Sequence, residues 1–205
     1  MLRARPTCCG YFDKTIGDGF LAVFGVQGVE ACALRAVAAA LEILAAVDLA
    51  RPVMRRLYGI DFSGRIGLHY GEALIGALGP PGVDRLTVVG DVANIASRVE
   101  QANKEAGNNL LTNEELFAEV QGDVISPDFL RVSIRGASAR RTLYEIAELT
   151  EEAKVRVAHL ITTPLSDLPG RRWMRLLASG THRNTWWRNT SEEPCRCNAQ
   201  AIPSR

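Results

Sequence analysis

At 205 residues and 47% hydrophobic content, the chain suits one packed domain with an appendage. A formal net charge of +1 provides no field that would point to nucleic acid or anionic lipid as partner. No apolar run reaches about 18 residues without a charge, so no transmembrane segment is expected, and Met1 to Pro6 is too short and too polar afterwards for a signal peptide. Five cysteines, an odd number, fit a reducing cytosol better than a disulfide framework, which predicts a cytoplasmic protein. Cys8-Cys9 and Cys195-x-Cys197 lack the second spaced pair or nearby histidines of a metal site.

In chain order, Tyr11 to Ile16 and Phe20 to Gly25 read as two strands joined by Gly17-Asp18-Gly19, a hairpin. Gly28 and Pro52 bracket a helix whose apolar face holds Leu34, Val37, Ala38, Leu41, Leu44 and Ala45. Arg65 to Tyr70 and Ala73 to Leu78 are strand-like runs hinged at Gly71-Glu72, and Pro80-Pro81-Gly82 forces a turn. Asp91 is expected to cap a helix that runs to about Ala106 and ends at Gly107-Asn108-Asn109. A strand at Leu110-Leu111 leads to Thr112-x-x-Glu115, read as a capping box opening a helix through Glu119. Strands from Phe129 to Ile134 and from Arg141 to Ala147 close the pattern. The alternation predicts an α+β fold, helices packed on a mainly antiparallel sheet.

After about Leu149 the character changes, so a domain over 1–148 and a C-terminal extension over 149–205 are expected. Glu151 to Leu160 can extend as a helix. From Pro164 the chain carries Pro, Gly, Arg, Asn and Ser with Trp173, Trp186 and Trp187 and no period, the signature of a poorly ordered tail. Arg171 to Leu177 is basic and amphipathic; a partner or membrane-surface role and coding past a natural end both remain open.

Three segments carry the chemistry: Asp13-Lys14-Thr15-Ile16-Gly17-Asp18-Gly19, Val88-Val89-Gly90-Asp91-Val92-Ala93-Asn94-Ile95-Ala96-Ser97-Arg98, and His69-x-Gly71-Glu72-Ala73-x-x-Gly76-x-x-Gly79. In order and spacing they resemble the signature of class III nucleotidyl cyclase catalytic domains, and the match runs from about Gly10 to Ala147. The resemblance implies a ferredoxin-like cyclase fold and conversion of ATP to 3′,5′-cyclic AMP and pyrophosphate. It also implies a homodimer, or a heterodimer with another cyclase domain, whose sites lie at the interface and are split between partners.

That reaction is an intramolecular phosphoryl transfer, which rests on positioning and on neutralising phosphate charge. Its natural device is a pair of Mg²⁺ or Mn²⁺ ions, about 3.5–4 Å apart, that grip the attacking and leaving oxygens. By the resemblance Asp18 is a metal ligand; by itself Gly-Asp-Gly reads as simply a good hairpin turn. Lys14 and Thr87 match the purine-reading positions. Lysine there suits adenine, and GTP is the less expected substrate. On the helix after Gly90, Asn94 and Arg98 are four residues apart and share a face. The resemblance has Asn94 orient the ribose and Arg98 meet charge on the α-phosphate, a task suited to a planar, permanently charged guanidinium. Without it, both are ordinary exposed residues of a helix that buries Val92, Ile95, Ala96 and Val99. Arg135 falls near a phosphate-binding position. His69, His159 and His182 have no clustered partners, so no catalytic histidine is assigned. Asp13 is expected on the strand face opposite Lys14.

The chain departs from the family at its front, where an opening strand with a first metal-binding aspartate, followed by helices, precedes the hairpin. Asp61-Phe62-Ser63-Gly64 resembles that opening but comes out of order. Without the strand, unpaired edges and a weakened metal clamp are expected, with little or no cyclase activity. Three readings follow: a cyclase whose start lies upstream; a catalytically silent homologue acting as a dimerisation or nucleotide-binding module; and a non-functional gene remnant.

Overall fold

The computed structural model describes residues 10–26, 30–78, 85–132, 141–162 and 200–201. Its elements run β1 (Tyr11–Ile16), β2 (Gly19–Val23), α1 (Cys32–Tyr58), β3 (Ile66–Leu68), β4 (Leu74–Leu78), β5 (Arg85–Val89), α2 (Asp91–Ala106), β6 (Leu110–Asn113), α3 (Glu114–Val120), β7 (Val124–Ile125), β8 (Phe129–Val132), β9 (Arg141–Glu145), β10 (Glu148–Leu149), α4 (Glu151–Thr162) and β11 (Gln200–Ala201).

The central sheet is ordered β3-β6-β9-β8, parallel only between β3 and β6. β1 and β2 form the expected hairpin, β4 pairs with β5, and β7 with β10, all antiparallel. The two runs expected to hinge on each other at Gly71-Glu72 therefore find different partners. Strand edges were expected to lie open, yet β11 pairs with β2 at Val23 and Ala22.

Period-two alternation explains how helices cover both faces of this sheet. Leu110 joins a core with Leu34 and Val37 of α1, Leu116 and Val120 of α3, and Ala153 and Val157 of α4. Its neighbour Leu111 packs instead with Leu143 and with Val99 of α2. Between Ile66 and Leu68, Gly67 lies under α2 so closely that a Cβ there would sit 2.3 Å from the backbone nitrogen of Glu100. Only glycine allows that approach.

Helix α1 does not stop at Pro52 but continues six residues to Tyr58, where Gly59 (φ 66°) ends it by donating its N–H to the Arg55 carbonyl. Arg51 steadies the proline turn by pairing with Asp48 at 2.8 Å and donating to the Phe62 carbonyl at 2.9 Å. The expected buried face holds at Leu34, Val37 and Ala38, is partly buried at Leu41 and Leu44, and fails at exposed Ala45. Arg35 is buried in α1 and donates to the carbonyls of Glu30 and Leu160, which ties α4 to the core. Helix α4 thus lies past residue 148, where composition placed the domain limit, yet shares its core. Pro80-Pro81-Gly82 and the segment from Pro164 to Asn198, with its three tryptophans, lie outside the described residues.

Candidate functional site

Two local expectations change at the helix starts. α2 is capped by Gly90 (φ 118°, ψ −174°), with Asp91 its first helical residue and no side-chain cap. The glycine's left-handed φ turns the chain abruptly from β5 into the helix, a geometry closed to most side chains. Thr112 is a buried residue of β6, not a cap; the N-cap of α3 is Asn113, which also makes no side-chain cap bond. The Asn113 amide is used elsewhere, donating to the Tyr70 carbonyl at 2.8 Å and accepting from the Tyr70 N–H at 2.9 Å. It extends the β3–β6 ladder past Leu68, where backbone pairing stops.

Gly17 (φ 61°) makes the hairpin turn that exposes Asp18. Across the hairpin, Lys14 pairs with Leu21, and Leu21 is buried against Ala96 of α2. Cross-strand partners share a face, so Lys14 lies on the side of the hairpin that carries α2. From there its Nζ donates to Thr87 Oγ1 at 3.1 Å across 73 residues of sequence. The two residues that sequence reading paired by function are in direct contact.

Asp13 joins them, against expectation. A register shift between Phe12 and Lys14 breaks strict alternation, as a β-bulge does. The Asp13 carboxylate accepts from the Thr87 hydroxyl at 3.1 Å and lies 3.5 Å from Lys14 Nζ. Its side chain is 2% exposed, against 47% for Lys14. Asn94 is exposed and Arg98 half-buried, one turn apart on α2, while Val92, Ala96 and Val99 are buried and Ile95 partly so. Arg135 lies outside the described residues.

A cleft of about 430 Å³ opens elsewhere, lined by His69, Glu72, Asp91, Ile95, Glu115 and Arg141 among others, and by none of the predicted site residues that are described. His69 beneath it is 4% exposed, and its Nδ1 has no hydrogen-bond partner among the described residues. Burial pushes its pKa from 6.5 down to about 4, with Glu115 opposing the shift and Arg141 adding to it. Such a histidine is neutral at pH 7.

Residues 10–115 match the adenylate and guanylate cyclase catalytic domain. The chain belongs to this family. It is 30% identical over 152 residues to the terminal-differentiation-specific adenylate cyclase of Dictyostelium discoideum, covering 71% of this chain and 7% of that protein. With an adenylate cyclase of Anabaena cylindrica it shares 34% identity over 117 residues, 57% of this chain and 23% of that one. It spans less than a quarter of either relative. The guanylyl cyclase Cya2 matches in fold at a TM-score of 0.61 and 24% identity, covering 70% of this chain and 73% of the other. The fold is the α+β cyclase fold.

For the divalent ion of cyclase chemistry, the donor set is spare. Among the described residues no three His, Cys, Asp or Glu side chains gather into a metal site. Asp18, a single exposed carboxylate on a glycine turn, fits an ion that takes its other ligands from phosphate oxygens and water, as Mg²⁺ commonly does. No helix among the described residues is long and apolar enough to cross a membrane.

Proposed function

We propose that this cyclase domain takes ATP as substrate and forms 3′,5′-cyclic AMP and pyrophosphate at a site completed by a second cyclase domain. The contact between Lys14 and Thr87 is the observation that carries this reading. It sets an ammonium and a hydroxyl side by side at a half-open surface, where they can meet the edge of a purine. Lys14 donates to a ring nitrogen of adenine. Asn94 holds the ribose, so that its 3′-oxygen faces the α-phosphorus. As that oxygen bonds to phosphorus and pyrophosphate departs, the Arg98 guanidinium meets the charge that builds on the α-phosphate. Arg135 is proposed to contact phosphate. Mg²⁺ or Mn²⁺, when bound, supplies positive charge at the phosphates, and Asp18 is the residue that would hold it.

Splitting the site between copies accords with two features of the single chain. Asp18 and Asn94 are exposed, and neither lines the cleft beside His69. In this arrangement Asp18 of one protomer serves the site formed by Lys14, Thr87, Asn94 and Arg98 of its partner, in a homodimer or a heterodimer. A cytoplasmic location accords with the odd number of cysteines. A second reading, a nucleotide-binding or dimerising domain without turnover, draws on the spare donor set, since among the described residues no three His, Cys, Asp or Glu side chains gather into a metal site.

One assay tests both. The full chain is titrated with ATP and Mn²⁺ while cyclic AMP is measured, beside Asp18→Asn. Saturable ATP binding that weakens about tenfold or more in Asp18→Asn is expected. Turnover accompanying it selects the cyclase, and its absence selects the silent domain. No binding at millimolar ATP, or binding indifferent to Asp18, overturns the site.

A further inference from the structure

We infer that Asp13 is a positioning residue which fixes the hydrogen-bond polarity of Thr87 and thereby biases the site toward adenine over guanine. The inference rests on the nucleotide reading above and adds a residue to it. A threonine hydroxyl has one proton and two acceptor lone pairs, and on a free rotor it can present either to a ligand. Here the proton is committed, because Thr87 donates it to Asp13 Oδ2 at 3.1 Å, and an ionised carboxylate can only accept. One lone pair of Thr87 Oγ1 receives the Lys14 ammonium at 3.1 Å. What remains for a ligand is the second lone pair of Thr87, an acceptor, beside the free N–H groups of Lys14, which are donors.

That pattern is complementary to adenine, whose exocyclic amine donates and whose neighbouring ring nitrogen accepts. Guanine in the same pose reverses both groups: its carbonyl oxygen faces the Thr87 acceptor and its ring N–H faces the Lys14 donor. Thr87 thus behaves as a carboxylate would, although its side chain carries no charge. Asp13 cannot read the base itself, since its side chain is 2% exposed and lies behind the pair. The 3.5 Å approach of its carboxylate to Lys14 Nζ also holds the ammonium in place. The register shift between Phe12 and Lys14 accompanies this arrangement, because regular alternation sends neighbouring side chains to opposite faces.

The test is a double-mutant cycle on the full chain, reading the ratio of ATP to GTP dissociation constants in Mg²⁺ buffer, with circular dichroism confirming that each variant is folded. Asp13→Asn, whose amide can donate to Thr87 and free its proton, lowers the preference for ATP by about three- to tenfold. Asp13→Glu, which keeps an acceptor, restores most of it. In a Thr87→Val background, Asp13→Asn leaves the ratio within about twofold. If Asp13→Asn does not fold, Asp13→Ala carries the same expectations. Equal weakening of both nucleotides, or a shift in ratio that survives in Thr87→Val, overturns the role of Asp13 while leaving the nucleotide site standing. A wild-type chain that binds neither nucleotide overturns both.

Discussion

The chain carries two polar centres built on opposite principles. Lys14, Asp13 and Thr87 meet at a half-open surface between the hairpin and β5, where polar groups are left over for a ligand. His69, Asn113 and Glu115 meet at the end of β3, where Asn113 spends its amide on the backbone of Tyr70 and on Glu115. Burial explains the difference. A buried polar group without a partner costs about 1–3 kcal/mol, so Asn113 commits its amide inside the fold and buried His69 stays neutral, whereas an outer centre can keep donors and acceptors free. On the proposed reading the inner centre serves the stability of the fold and the outer one recognition, and variants should separate the two.

The sharpest separation is expected at Asn113. Replacing it with alanine removes both bonds to the half-buried backbone of Tyr70 and leaves a cavity. Urea denaturation should record a loss of about 4 kcal/mol. The ATP-to-GTP binding ratio of whatever remains folded should not change. A loss below about 1 kcal/mol would mean that water repairs the ladder and that the inner centre is not structural in this sense.

His69 gives the next largest effect. Its folded pKa of about 4 lies below the ordinary 6.5, so between those values the unfolded chain binds a proton that the folded chain refuses. Stability therefore rises with pH across that window, and it falls as pH drops from 6.5 toward 4. The full difference is on the order of 3 kcal/mol. Glu115 and Arg141, which face His69 across the cleft, modulate it in opposite senses. His69→Gln should flatten this acid limb in melts taken from pH 7 to 4. An unchanged slope would assign the acid sensitivity to carboxylates elsewhere.

The outer centre was the more legible of the two in sequence, for a physical reason. Its members stand on short signatures fixed by backbone geometry: a glycine turn beside Lys14, and Gly90 three residues after Thr87. Strand and helix periodicity likewise revealed the hairpin, α2 and the β6–α3 succession. What stayed hidden depended on tertiary contacts between distant segments. Asp13 reached Thr87 through a bulge that no local pattern announces. Arg35 is buried because carbonyls 5 and 125 residues away accept its guanidinium. Thr112-x-x-Glu115 mimicked a capping box that took in Asn113, although Thr112 and Asn113 belong to the strand. Pro52 stopped α1 on paper but not in the fold. A proline costs one hydrogen bond, and the Arg51 contacts beside it and the Gly59 cap support the turns that follow.

The smallest expected change in stability comes with the clearest change in recognition. Lys14 is 47% exposed but its partner Asp13 is 2% exposed, so Lys14→Glu, which takes the cation from that carboxylate and sets a like charge beside it, should cost about 1–2 kcal/mol of folding free energy. The substituted carboxylate accepts where the ammonium donated, which suits the ring N–H of guanine and disfavours the ring nitrogen of adenine. The ATP-to-GTP preference should fall by about tenfold, equivalent to roughly 1.4 kcal/mol. Because Asp13 still holds the Thr87 proton, a full reversal is not expected from this change alone: Thr87 continues to face the guanine carbonyl with a lone pair. Adding Asp13→Asn should carry the preference further toward GTP than Lys14→Glu by itself. Two changes that merely add, with no greater gain in combination, would mean that Lys14 and Asp13 act on the base independently and not through one shared hydroxyl.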